Sequence, residues 1–193
     1  KLREHQITAL NNTNSHFKDN NRGKLIMACG TGKTFTALKI AENETKQSGT
    51  ILFLVPSIAL LGQTLREWKS DSETNIHAIC ICSDPEISKK IGRNEEMETD
   101  RLDELAYPAS TDVEQVLEQF KRIKERNEDG MTVVFSTYQS IDVISKSQQK
   151  WMENGFPEFD LIICDEAHRT TGVTLAGNDE SAFTKVHNND FLK

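Results

Sequence analysis

The stretch Met27-Ala28-Cys29-Gly30-Thr31-Gly32-Lys33-Thr34-Phe35 crowds two glycines, a lysine and two threonines together, and its surroundings decide how it folds. Before it, Lys24 to Ala28 reads as a short apolar strand. After it, Lys33 to Gln47 reads as a helix, with Phe35, Ala37, Leu38, Ile40 and Ala41 at helical spacing and Ser48-Gly49 to stop it. A glycine-rich turn from strand into helix aims backbone N–H groups at one point, where the helix dipole favours an anion. The stretch fits the phosphate-binding pattern G-x-x-x-x-G-K-[ST] except that Met27 stands where the first glycine would be. In that reading Gly30, Thr31 and Gly32 cradle phosphates, Lys33 reaches the β- and γ-phosphates, and the Thr34 hydroxyl is a ligand for Mg²⁺.

Working outward, Thr50 to Val55, Ile76 to Cys82, Thr132 to Phe135 and Leu161 to Cys164 are short, nearly continuous apolar runs, as strands buried on both faces must be. Helix-like stretches alternate with them. Thr111 and Glu114 fit a T-x-x-E capping box, followed by an apolar stripe of Val113, Val116, Leu117, Phe120 and Ile123 that ends before Asp129-Gly130. The alternation predicts an α/β fold, a parallel sheet with helices on both faces.

The chain of 193 residues, 36% hydrophobic, is expected to form one domain over 1–193. It holds no run of eighteen apolar residues, and "KLREHQITAL" lacks the features of a secretory signal, so a cytoplasmic protein with no membrane partner is expected. Its first residue is not Met and its last are "NNDFLK", so a piece of a larger protein is expected. The net charge of −7 is concentrated between Asp84 and Asp129, where 14 acidic residues face 8 basic ones. We read about 84–129 as an acidic helical insertion at the sheet edge. The remainder, nearly neutral with 16 acidic and 15 basic residues, can still touch phosphates. Cys80, Cys82 and Cys164 lie in apolar runs and no C-x-x-C pair exists, so buried packing is expected of them and a small loop residue of Cys29.

A second candidate site follows the last apolar run. Asp165 and Glu166 stand directly after a predicted strand, where open parallel sheets place their ligands. Asp165 would hold Mg²⁺ and Glu166 would accept a proton from an attacking water. A helix N-cap explains such a pair almost as well when it stands alone.

With these residues in hand, the chain resembles the first RecA-like motor lobe of superfamily 2 helicases and translocases, which are P-loop NTPases. Its "MACGTGKT" is similar to the family's motif I, A-x-x-G-x-G-K-T, with Met27 for the alanine, and Asp165-Glu166-Ala167-His168 matches motif II in its DEAH form. The resemblance implies ATP as the nucleotide, and gives His168 the part of coupling the nucleotide site to segments that contact nucleic acid. "LREHQ" resembles the adenine-reading Q motif, with Gln6 lying 27 residues before Lys33; an amide offers adenine one donor and one acceptor. "LVPSIALLGQTLREW" resembles motif Ia and "VVFSTYQSI" the next strand-to-loop motif, which makes Ser57, Gln63, Ser136 and Thr137 candidates for gripping a phosphate backbone without sequence preference.

Arginine and Thr-Thr-Gly after the box look like the motor lobes of prokaryotic restriction enzymes, of type I, type III and especially the single-chain type ISP. That resemblance implies double-stranded DNA as partner, a second RecA-like lobe, and nuclease and methyltransferase domains outside this chain. An RNA or repair helicase of the same superfamily is the nearest alternative. An ATP-dependent switch without motor activity is a third.

If Lys33 is the cation that meets the terminal phosphates, Lys33→Ala will abolish nucleotide binding or weaken it severely. Titration with a fluorescent ATP analogue checks this, and an unchanged affinity would remove the phosphate-loop assignment.

Overall fold

In the computed structural model, which describes residues 1–82, 110–126, 128–153 and 158–167, the apolar runs after residue 48 pair into one sheet. The chain order is α1 (Glu4–His16), α2 (Lys33–Glu44), β1 (Gly49–Val55), α3 (Ile58–Asp71), β2 (Ile76–Ile81), α4 (Val113–Arg126), β3 (Met131–Thr137), a 3₁₀ turn (Tyr138–Ser140), α5 (Ile141–Glu153) and β4 (Leu161–Cys164). The strands stand in the order β2-β3-β1-β4 and every pairing is parallel. Gly49 lies opposite Met131, and Ile51 opposite Leu161, so all four carboxyl ends face one edge.

Strand periodicity divides the core into two layers. Ile51, Phe53 and Val55 point with Val133 and Phe135 toward Leu38 and Ala41 of α2 and Leu61, Leu65 and Trp68 of α3. Leu52 and Leu54 point the other way, with Ile79, Ile81 and Val134, toward Val116, Leu117 and Phe120 of α4 and Ile141 and Ile144 of α5. Trp68 is fully buried, with its ring centroid 5.0 Å from Phe53 and 5.7 Å from Phe135, both near perpendicular, the arrangement that aromatic quadrupoles favour. Cys80 and Cys82 are buried in the first layer, and desolvation pushes the Cys80 thiol up to about 12.

The structure corrects three sequence expectations. Among the described residues Lys24 to Ala28 finds no strand partner, and Leu25 and Ile26 are exposed. Its apolar pattern is a strand's, but a strand needs a neighbour, and none of the four described strands pairs with it. The helix that follows stops at Glu44 rather than Gln47, because Lys46 and Gln47 take positive φ and the chain turns. At the start of α4 the cap is Asp112, not Thr111. Its Oδ1 accepts from the N–H of Glu114 at 2.8 Å and from that of Gln115 at 3.4 Å. Aspartate is a stronger N-cap than threonine, and it stands one residue nearer the exposed amides.

Within the acidic stretch 84–129, the helical part is built into the second layer, since Val116, Leu117 and Phe120 are core residues. Residues 83–109 lie outside the described residues. No helix among the described residues is long and apolar enough to cross a membrane.

The C-terminal end of α2 is tied down by a buried carboxylate. Glu42, 5% exposed, accepts from Lys39 Nζ at 2.7 Å, from Ser72 Oγ at 3.0 Å and from the Glu73 N–H at 2.8 Å. Glu42→Ala deprives the Glu73 N–H of its acceptor and should cost roughly 1–3 kcal/mol, less than the full cost of breaking a buried pair because Lys39 still reaches Glu73 and the Ser72 hydroxyl still reaches the Thr74 carbonyl. A urea unfolding midpoint beside that of Glu42→Gln, which keeps an acceptor oxygen, checks it. An unchanged midpoint for the alanine variant would contradict it.

Candidate active site

The glycine-rich loop sits where α2 begins. Gly30 and Gly32 have φ of +74° and +80°, a left-handed backbone that disfavours other residues. Gly32 has a second reason to be glycine: a Cβ there would stand 2.7 Å from Gln6 Nε2. The Gly32 carbonyl starts the helix by accepting from the Thr36 N–H at 2.9 Å and the Thr36 hydroxyl at 3.0 Å, and the Thr31 hydroxyl closes the turn onto the Ala28 carbonyl at 2.7 Å. The core reaches in as well, since the Trp68 indole N–H donates to the Thr34 carbonyl at 3.1 Å.

Across the carboxyl edge, Lys33 Nζ lies 3.3 Å from Glu166 Oε1, two side chains 133 residues apart in sequence and each about one-third exposed. The Glu166 hydrogen bond and charge raise the Lys33 ammonium above its ordinary value. The Asp165 N–H extends the sheet by donating to Leu54 O at 2.9 Å, and the Asp165 carboxylate accepts from the Glu166 N–H at 3.0 Å. Burial raises the Asp165 carboxyl above the usual carboxylate range; the neighbouring Glu166 charge adds to this, while the Glu166 N–H and Lys33 oppose it. Glu166 has φ of +53°, a conformation that costs a residue with a side chain about 1–2 kcal/mol. The Asp165 carbonyl, the peptide oxygen just before it, accepts from the fully buried Tyr138 hydroxyl at 2.8 Å.

Thr34 and Asp165 are hard oxygen donors of the kind Mg²⁺ takes, and a half-buried carboxylate held above its usual range is a site that a cation relieves. Among the described residues no group of three or more His, Cys, Asp or Glu side chains converges as a metal cluster would. The donor set thus fits an ion that completes its shell with phosphate and water.

Gln6 is 4% exposed and both ends of its amide are engaged. Oε1 accepts from the Arg3 N–H at 2.9 Å, and Nε2 lies 3.4 Å from the carbonyls of Thr31 and Gly32. It lines a cavity of about 260 Å³ together with Lys1, Arg3, Gly30, Thr31, Gly32 and Phe35. Arg3 and Phe35 are residues that sequence reasoning passed over. The aromatic directly after Lys33-Thr34 was the available signal for Phe35, whose ring has Lys39 Nζ 5.4 Å from its centroid.

The candidate nucleic-acid residues divide into two groups. Ser57 and Gln63 are exposed on α3, Ser57 as its N-cap accepting from the Leu60 N–H and Gln63 donating to Glu67. Ser136 and Thr137 are turned inward instead. The Ser136 hydroxyl donates to Ile81 O at 2.7 Å, and the Thr137 hydroxyl is 3.4 Å from that of Ser140. In that loop the exposed side chain is Gln139. His168 lies outside the described residues.

The model of the family "Type III restriction enzyme, res subunit" matches residues 1–190. A probable helicase of African swine fever virus (isolate Tick/South Africa/Pretoriuskop Pr4) is 30% identical over 170 residues, which are 88% of this chain and 16% of that protein. Among solved structures, a nuclease-deletion mutant of the type ISP restriction-modification enzyme LlaGI in complex with a DNA substrate mimic matches with a TM-score of 0.80 and 45% identity, covering 99% of this chain and 14% of that one. The ATP-dependent type ISP enzyme LlaBIII bound to DNA matches with a TM-score of 0.79 and 44% identity, covering 100% of this chain and 12% of that one. The chain thus spans about a seventh of the length of these relatives.

Because the Gln6 amide is spent on the loop, Gln6→Ala should weaken ADP and GDP alike, by about fivefold for two long hydrogen bonds lost. Competition titrations check this. A loss confined to adenine nucleotides would mean instead that the amide leaves the loop to read the base.

Proposed function

The chain belongs to the type III restriction enzyme res subunit family, and from that premise we propose that it is the ATP-binding and ATP-hydrolysing motor lobe of a DNA translocase in a restriction-modification enzyme. The contact between Lys33 and Glu166 is the observation that carries this reading, because it joins the two halves of a phosphoryl-transfer site. Both lie at the carboxyl edge of the sheet, where parallel α/β folds bind ligands.

In this mechanism the ammonium of Lys33 exchanges Glu166 for the β- and γ-phosphates of ATP. Glu166, released, orients a water and takes its proton. The backbone N–H groups of Gly30, Thr31 and Gly32 hold phosphate oxygens at the start of α2. Thr34 and Asp165 would hold Mg²⁺, which when bound neutralises charge developing between the phosphates. A second RecA-like lobe outside this chain supplies an arginine to the transition state, a contribution typically worth ~10³ to 10⁵ in rate, so the 193 residues alone bind ATP and turn it over poorly.

Double-stranded DNA is the proposed track, gripped through its phosphates by Ser57 and Gln63 on α3 and by the loop after β3. Their exposure on α3 supports the first contact. In the loop, backbone N–H groups and Gln139 take the part, since the Ser136 and Thr137 hydroxyls face inward. Contacts of this type carry no sequence information, so nuclease and methyltransferase domains elsewhere would provide recognition and cleavage. Binding then weakens as salt rises.

The test uses the complete protein. Wild type should displace a triplex-forming strand from duplex DNA when ATP is supplied, while Glu166→Gln should bind Mg²⁺–ATP with near-normal affinity and displace nothing. Strand unwinding without triplex displacement, or activity confined to RNA, would overturn the proposal.

A further inference from the structure

Tyr138 takes no part in the mechanism above, although it joins two regions that the mechanism treats separately. It opens the 3₁₀ turn that follows β3, directly after Ser136 and Thr137 at the strand end and before the exposed Gln139. Its ring is fully buried in the second core layer, among Leu54, Ile81, Val134 and Ile141. Its hydroxyl crosses 27 residues of sequence to donate to the Asp165 carbonyl at 2.8 Å, and the Cys164 side chain lies within hydrogen-bonding reach of the same hydroxyl.

The bonded oxygen is chemically telling. The Asp165 carbonyl belongs to the peptide plane that ends at the Glu166 nitrogen, so the direction of that oxygen and the φ of Glu166 are turned by one motion. Glu166 has φ of +53°, where a residue with a side chain stays only if its surroundings hold it. On one side of the plane, the Glu166 N–H is bonded to Asp165 Oδ1; on the other, the carbonyl is bonded to Tyr138. From this backbone the Glu166 carboxylate reaches Lys33. A buried aromatic ring cannot swing without repacking its layer, so the loop after β3 and the peptide plane before Glu166 move together or not at all.

We propose that Tyr138 is a positioning residue for Glu166: its hydroxyl clamps the peptide plane that aims the carboxylate, and so ties the orientation of the proton acceptor to the loop offered to DNA. This rests on the motor reading for the identity of the reaction. The clamp itself rests on the geometry alone. It gives engagement of the loop after β3 a short covalent and hydrogen-bonded route to the hydrolytic centre.

Tyr138→Phe removes the oxygen and keeps the ring. In the complete protein we expect nucleotide affinity within twofold of wild type and an almost unchanged KM for ATP. The DNA-stimulated kcat should fall by about tenfold or more, as a misplaced catalytic group commonly causes. The ratio of stimulated to DNA-free hydrolysis should fall with it. Amide hydrogen exchange supplies a readout independent of turnover: peptides covering Leu161 to Ala167 should exchange severalfold faster in the variant, while those of β1 stay as they were. Unchanged kcat, nucleotide affinity falling in step with kcat, or an unchanged stimulation ratio would each overturn the proposal. So would identical exchange in the 161–167 segment. A wild-type protein with no DNA-stimulated hydrolysis would sink the motor reading instead, and the exchange comparison would still decide the clamp.

Discussion

The parallel pairing of β1 with both β3 and β4 is the constraint on which the candidate site depends. It buries β1 on two faces and two edges, which demands the run Ile51-Leu52-Phe53-Leu54-Val55 without a polar break. It also brings three carboxyl ends to one edge. One ladder bond continues past the last strand residue, because Leu54 O accepts the Asp165 N–H, so the turn that carries the acidic pair starts from a backbone group tied to the sheet. Lys33 comes from the opposite direction, at the head of a helix packed on the same sheet, and the two meet without either being on a free loop.

The electrostatics of the site follow from this placement. A carboxylate pair at the end of a buried strand is costly to charge, and burial raises Asp165 accordingly. One ammonium, on Lys33, faces Glu166 and opposes that cost at Asp165. The proposed substrate, anionic phosphate carried with a cation, would meet both signs of charge there. The acidity of the chain as a whole has little bearing on this, since most of it is concentrated in the stretch 84–129.

Much of this was legible in sequence where the physics is local. Glycines at 30 and 32 announce a left-handed turn, and continuous apolar runs announce strands buried on both faces, so the glycine-rich turn, the four strands and the place of the acidic pair after the last of them could be read directly. What could not be read depended on partners remote in sequence. Lys24 to Ala28 has a strand's composition, but composition does not say whether a neighbouring strand is at hand. Ser136 and Thr137 look like available hydroxyls at a strand end, yet Ile81 O and Ser140 claim them, contacts that exist only once β2 and the 3₁₀ turn are folded. Nothing local marks Tyr138, because its hydroxyl partner lies 27 residues away. Asp112 displaced Thr111 as a cap by a single residue, a distance at which side-chain chemistry outweighs pattern.

The attachments of α2 carry a mechanical consequence. Its first turn is held through the Thr34 carbonyl by the Trp68 indole, and its last turn through the Glu42 carboxylate by Ser72 and Glu73. Trp68 and Ser72 are themselves one turn apart, since the Ser72 N–H donates to the Trp68 carbonyl at 2.9 Å. The helix is thus a beam pinned at both ends to a single neighbouring member. Force applied at Lys33, on the first turn of α2, finds no hinge inside the helix to absorb it. It passes as a rigid displacement to the end of α3 and the turn leading into β2, so a push at one edge of the sheet emerges at the other.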